Sequence, residues 1–254
     1  MDIAVAIPDS HVPHHINTEP LEKYLHDLQP THLIFLGDTW NCGLISHWDH
    51  QETLKEMGLK NIREGMAKEA FLLRKYVSDL VKACGPRLKQ VIYFEGNHEA
   101  WIRQYQAIYG NAGEPITLLG YLQPKQTGIT KVISQGGFYS IGHLRYIHGD
   151  NYSGGNLATL CKRMVDDYEA CVVFGHFHGI AEASKASVVN AQEKKFAKCI
   201  GTMGKLNPAY IKNKPHQWQN AFHVAFFREG GIFNDYVVRV IGGSFIAPNG
   251  KLYK

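Results

Sequence analysis

Short apolar runs recur along the chain, and five of them stop at polar residues of the same few types. "DIAVAIPDSH" closes on Asp9 and His11, "HLIFLGDTWN" on Asp38 with Asn41 behind it, and "QVIYFEGNHEA" on Asn97 and His98. "LRYIHGDN" closes on His148 and Asp150, and "CVVFGHFHG" on His176 and His178. Apolar runs of this length bounded by turn residues read as strands. Between the first three the period changes to a helical one. Residues 18–28 carry Leu21, Tyr24, Leu25 and Leu28 on one face, between Pro20 and Pro30, and residues 62–84 keep Ile62, Met66, Leu73, Tyr76, Val77, Leu80 and Val81 in register until Gly85-Pro86. A third helix is expected from Glu99 to Gly110, and a fourth after Gly154-Gly155 with Leu157, Leu160, Cys161, Met164 and Val165 on its face.

This βαβαβα alternation predicts a largely parallel central sheet with helices against it. Ligands gather beyond the carboxyl ends of such strands, so the five polar clusters are expected to share one edge of that sheet. The stretch 220–253 alternates around Glu229-Gly230-Gly231 as a hairpin, then closes with a turn and a short strand, and is expected to extend a second sheet. No linker, repeat or low-complexity run divides the chain. The expectation is one domain over 1–254, with a helical insertion at about 44–84 and C-terminal strands at about 220–253.

A single His-x-His pair is more often loop polarity than a ligand pair. Five strand ends that all favour His, Asp and Asn point instead to one convergent pocket. Carboxylates and imidazoles without thiolate suit Mn²⁺, Fe²⁺ or Zn²⁺. Asp9, His11, Asp38, Asn97, His148, His176 and His178 are too many for one tetrahedral ion. Two ions about 3.5–4 Å apart, sharing a carboxylate, would use them.

In order, "DSH" (9–11), "GD" (37–38), "GNHE" (96–99), the strand-end His148 and "GHFH" (175–178) resemble the five motifs of the calcineurin-like metallophosphoesterases, over roughly residues 3–178. The resemblance implies an α/β fold, a two-sheet β-sandwich flanked by helices, as in the small stand-alone members of bacteria and their viruses. It implies one metal held by Asp9, His11 and His178, another by Asn97, His148 and His176, Asp38 bridging, and Mn as the expected ion with Fe or Zn as alternatives. It implies phosphoester hydrolysis by a hydroxide shared between the metals, with His98 the catalytic residue that does not bind them. The second motif departs from the phosphoprotein phosphatases: Asn41 stands where they have an aspartate that orients the catalytic histidine, and their following arginine is missing. An amide can hold an imidazole but cannot stabilise its protonated form as a carboxylate does.

Composition adds three points. The five cysteines show no C-x-x-C spacing, and no basic, long-apolar leader precedes the first strand, so a reducing, cytoplasmic setting is expected and a membrane is not. Of the 14 histidines, His14, His15, His47 and His50 follow the first two motifs. They read as loop polarity or cleft lining, as Asp150 reads as a turn carboxylate or a prop for a ligand. The net charge is only +4, yet residues 185–214 hold seven lysines against one acid, Glu193, with Phe196, Tyr210 and Trp218 among or beside them. That mixture fits a nucleic-acid track and equally a solvated lysine face. "GTMGK" (201–205) has the wrong spacing for a phosphate loop.

A phosphodiesterase or nuclease acting on nucleic acid or nucleotides is the leading expectation. A phosphomonoesterase on a nucleotide or other small phosphate, and a non-catalytic binding protein that uses metals as scaffold, stay open beside it.

Overall fold

The computed structural model describes residues 1–46, 50–109, 117–186, 194–208 and 216–254, with the backbone alone for 50–56. In chain order the elements are β1 (Asp2–Ile7), α1 (Glu19–Leu28), β2 (His32–Phe35), α2 (His50–Ala83), β3 (Gln90–Phe94), α3 (Asn97–Tyr109), α4 (Leu118–Leu122), α5 (Pro124–Thr127), β4 (Lys131–Ile133), β5 (Phe138–Ile141), β6 (Leu144–Ile147), α6 (Leu157–Tyr168), β7 (Cys171–Phe174), β8 (Ile180–Ala186), β9 (Lys194–Ile200), β10 (Ala221–Phe227), β11 (Phe233–Arg239), β12 (Phe245–Ile246) and β13 (Leu252–Tyr253). One sheet has the order β11-β10-β1-β2-β3-β4 and the other β5-β6-β7-β9-β8, while β12 and β13 pair by themselves.

The two sheets stack as a sandwich flanked by helices. Alternation along each strand explains why. Ile3, Val5, Ile7, Leu33, Phe35, Val91 and Tyr93 pack against Leu21, Tyr24 and Leu25 of α1, against Ile62, Leu73 and Val77 of α2 and against Ile102 of α3. The intervening residues Ala4, Ala6, Ile34, Leu36, Ile92 and Phe94 face the other way and meet Leu144, Tyr146, Val173 and Ile200 of the second sheet. That sheet buries Ile147, Val172, Phe174 and Cys199 against Cys161, Met164 and Val165 of α6. Burying a side chain such as Phe35 or Phe174 stabilises the fold by roughly 2–3 kcal/mol. No helix among the described residues is long and apolar enough to cross a membrane.

Three expectations are corrected. The five polar strand ends do not share one sheet: β1, β2 and β3 belong to the first, β6 and β7 to the second. The chain changes sheet between β4 and β5 through a turn in which Gly137 N–H donates to Ser134 O, and apolar alternation reports a strand without reporting its sheet. The C-terminal hairpin extends the first sheet, β10 lying antiparallel to β1 from Asp2↔Phe227 to Ala6↔His223. Its almost wholly buried pattern reflects cover on both faces. The second sheet is completed by β8 and β9, the latter from within the lysine-rich segment. Finally, α3 begins at Asn97, so Asn97 and His98 occupy its first turn. Gly96 lies at its N-cap, its carbonyl accepting from Ala100 N–H at 3.1 Å.

Candidate metal centre

Beyond the carboxyl ends of β1, β2 and β7 the backbone takes conformations that L-residues seldom adopt. Asp9 (φ 42°), His11 (φ 49°), Asp38 (φ 45°), His176 (φ 66°) and His178 (φ 58°) are all left-handed. Three of the other non-glycine examples are ordinary helix C-caps, Gln29, Gln123 and Glu169. A left-handed non-glycine residue costs about 1–3 kcal/mol. The fold concentrates that cost at one place.

These residues form two groups of ligand-type atoms. Asp9, His11 and His178 make one and Asp38, His148 and His176 the other, and in each the donor atoms lie within 4.8 Å of one another. Each group joins side chains of both sheets. His178 Nε2 is 3.4 Å from Asp9 Oδ1 and 3.0 Å from His11 Nε2. His148 Nε2 is 3.4 Å from Asp38 Oδ2 and 3.3 Å from Asn97 Oδ1. His148 Nδ1 donates to Leu36 O at 2.8 Å, which fixes the ring and directs Nε2 toward Asp38. The Nδ1 atoms of His11, His176 and His178 are buried without a hydrogen-bond partner among the described residues. Orphaned buried imidazole nitrogens beside carboxylates, with no thiolate, are a donor set that suits a borderline divalent cation.

Close approach sets part of the geometry. A Cβ on Gly96 would lie 2.2 Å from Asp38 Oδ1, and one on Gly175 would lie 2.3 Å from Asp9 Oδ2. Both carboxylates therefore rest against bare backbone. Asp9 accepts from His176 N–H, and Asp38 Oδ1 accepts from His98 N–H at 2.9 Å, at the positive end of α3.

Burial and charge divide the site. Burial would raise Asp38, but the charges of His148 and His98 and the His148 hydrogen bond outweigh it and hold the carboxyl well below its usual range. Burial works against a charged His148, and Asp38 overrides it, lifting the imidazole to about 10. Burial, then His178 and His98, drive His11 well below 6.5, and burial followed by His148 lowers His176.

His98 is set apart from both groups. Its ring lies 4.2 Å from that of Trp101 and 4.7 Å from that of His11, and its Nε2 is 3.9 Å from Asp38 Oδ2. The orienting partner is not the Asn41 side chain expected from the sequence but the Asn41 backbone carbonyl, 2.7 Å from His98 Nδ1. A carbonyl can only accept, so Nδ1 carries hydrogen and Nε2 is the atom that can gain or lose a proton.

The remaining sequence candidates fall outside the two groups. His14 is exposed on the turn after His11, its N–H donating to His11 O and its own carbonyl accepting from Lys205 N–H. Asp150 accepts from Gln135 Nε2 at 2.5 Å, and its charge raises His148 and His176. His47 lies outside the described residues.

Two organising residues had no assigned role in the sequence reading. Glu99, fully buried, accepts from Asp38 N–H (3.1 Å), Trp40 N–H (2.9 Å), Gly96 N–H (3.1 Å) and the Tyr93 hydroxyl (2.8 Å). It stands at the third helical position of α3, and its bond to the N-cap N–H is half of a capping box, a signal legible in "GNHE". Burial and then Asp38 push its carboxyl up to about 7 against the lowering donors Trp40 N–H and Tyr93. Thr202, inside "GTMGK", donates from Oγ1 to Asp9 O at 2.6 Å and accepts from Gly204 N–H at 2.9 Å, so that segment props the Asp9 turn.

The sequence matches no family model and no curated protein. Among solved structures, the chain is similar to Entamoeba histolytica Vps29 complexed with zinc (12% identity, TM-score 0.47, 96% of this chain and 95% of that one). It is also similar to Chaetomium thermophilum Vps29 (10% identity, TM-score 0.45, 99% and 95%) and to Thermotoga maritima protein TM1076 (14% identity, TM-score 0.39, 94% and 99%). At that distance the likenesses carry no argument about the chemistry of this chain.

Proposed function

We propose that this chain is a metal-dependent phosphoester hydrolase acting on phosphodiesters of nucleic acid or nucleotides. The observation that carries the reading is the pair of donor groups, one around Asp9 and one around Asp38, each completed by imidazoles from the opposite sheet. Asp9, His11 and His178 would hold one divalent cation, and Asn97, His148 and His176 another, with Asp38 shared. Manganese is the expected ion and iron or zinc the alternatives. Such cations, when bound, lower the pKa of water and neutralise phosphoryl oxygens.

The chain's own residues supply the rest. His98, with Nδ1 committed to Asn41 O, can present a proton at Nε2 to a departing oxygen. Its side chain is 23% exposed, so a substrate can reach it. Trp101 lies against His98, and Trp218 stands 4.3 Å from His178 in an edge-on contact, so two indoles flank the donor groups. Flat apolar walls suit an ester that carries a base.

The same residues would serve a phosphomonoesterase, and a scaffold without catalysis would need the donors but not His98. One assay separates the three. Chain stripped of metal and reloaded with Mn²⁺ is expected to hydrolyse bis(p-nitrophenyl) phosphate faster than p-nitrophenyl phosphate. Turnover of the monoester alone would replace the diesterase reading, and no turnover with metal bound would favour the scaffold.

A further inference from the structure

A cleft of about 560 Å³ opens at the far end of the second sheet, among residues that include Arg145, Lys194, Lys195, Glu169 and Phe233. Arg145 lies early in β6, Lys194 and Lys195 open β9, and the metal-ligand candidates follow the opposite ends of β6 and β7. The two regions are therefore separated by the length of the strands.

Its charges are arranged unlike those elsewhere in the lysine-rich segment. Lys185 pairs with Asp166 at 2.6 Å, and Lys198 with Asp235 at 2.8 Å and Glu182 at 3.7 Å. Among the described residues, Arg145, Lys194 and Lys195 have no carboxylate within ion-pair distance. Lys195 also stands directly opposite Lys185 in the β8–β9 ladder, and like charges so placed are destabilising. The Arg145 guanidinium sits 4.4 Å from the centre of the Phe138 ring and 5.6 Å from that of Tyr168, and its Nε is buried without a partner. Stacking fixes the plane of the guanidinium before any ligand arrives, which lowers the entropy lost on binding. Among the described residues of the lining Glu169 is the one acid, against Arg145, Lys194 and Lys195, so these residues give the cleft a net positive charge.

We propose that this cleft binds a phosphate monoester of nucleotide size. A planar fork and the ammonium group of Lys195, which leaves β9 on the same face of the sheet, match a dianionic phosphate, which accepts bidentate pairing and further donors. The volume accommodates a body beyond the phosphate, and Phe233 offers it a flat apolar wall. The assignment is independent of the reaction proposed at the metal centre.

Calorimetric titration of the full chain with AMP, inorganic phosphate and adenosine tests it. AMP is expected to bind, phosphate at least tenfold more weakly, and adenosine not at all. Lys195→Glu, a surface change, and Arg145→Gln are each expected to weaken AMP at least tenfold, while Asp38→Asn leaves its affinity unchanged. No AMP binding by the wild type, affinity unaffected by either cleft variant, or loss only in Asp38→Asn would overturn the proposal. Phosphate binding as tightly as AMP would overturn the nucleotide-sized ligand.

Discussion

Both carboxylate oxygens of Asp9 lie 2.9 Å from the backbone nitrogen of His176, 167 residues further along the chain. The side chain at the end of β1 therefore holds the loop that leaves β7, and the sandwich is closed by the same group that is a ligand candidate. Gly175 makes that approach possible, because a Cβ there would sit 2.3 Å from Asp9 Oδ2. Gly175→Ala is expected to push the carboxylate away and to lower stability by about 1–3 kcal/mol, the usual cost of overpacking. It is also expected to reduce bound Mn²⁺. Urea midpoints and elemental analysis of dialysed protein check both, and wild-type metal content in the variant would show that Asp9 is not a ligand.

Glu99 gives a second expectation. Three backbone N–H groups and one hydroxyl converge on its carboxylate, from the β2 loop, from β3 and from the start of α3. Glu99→Gln keeps the shape but turns one acceptor into a donor facing N–H groups. Leaving one buried donor unsatisfied costs about 1–3 kcal/mol. The unfolding free energy is expected to fall by that amount, read from urea midpoints, with a larger drop for Glu99→Ala. Equal stabilities for wild type and Gln variant would mean that the carboxylate does not organise the two loops.

Strands β1, β2, β3, β6 and β7, the C-terminal hairpin, helices α1, α2, α3 and α6 and the polar strand ends were legible in the sequence because each leaves a local trace: a period of two, a period near 3.6, or a polar cluster after an apolar run. What was not legible is non-local. Asp9 and Asp38 belong to one sheet and His148 and His176 to the other, and nothing in "LRYIHGDN" records that the chain has changed sheet since "QVIYFEGNHEA". The lysines of 185–214 read equally as a nucleic-acid track and as a solvated face, and pairing shows two of them answered by acids and two lining a cleft. Asn41 was read by its side chain, whereas its backbone makes the contact, and main-chain geometry is invisible to residue type.

His223 supplies the pH dependence. It is wholly buried between the sheets, with Nε2 3.0 Å from Asp235 Oδ2, Lys198 beyond that carboxylate, and Tyr146 edge-on to its ring at 5.8 Å. Burial lowers its pKa despite the raising effect of Asp235. At pH 7.5 the residue is neutral in both folded and unfolded chains and contributes no slope. As pH falls through about 6.5, the unfolded chain takes up a proton that folded His223 refuses, so stability declines, by at most about 1.4 kcal/mol per pH unit for this group. His11 and His176 act in the same direction, so the comparison must be differential. His223→Gln, whose amide can still donate to Asp235, is expected to flatten the decline in urea midpoint between pH 7 and 5. An unchanged slope would mean that His223 takes up its proton equally in the folded state.

The last expectation separates binding from chemistry at the proposed centre. His98 touches the Asp38 carboxylate through its backbone N–H and reaches the substrate side through its ring, so a replacement must spare the first contact. His98→Asn retains the N–H and removes Nε2. If His98 delivers the proton to the leaving oxygen, kcat for a phosphodiester with an alkoxide leaving group, such as a dinucleotide, is expected to fall by about 10²–10⁴, the range for a positioned general acid, with two Mn²⁺ per chain retained. The loss should shrink for esters whose leaving group departs easily without a proton, because such a group needs the acid least. A uniform loss across leaving groups, or loss of metal together with rate, would remove His98 from proton transfer and make it a support for Asp38 instead.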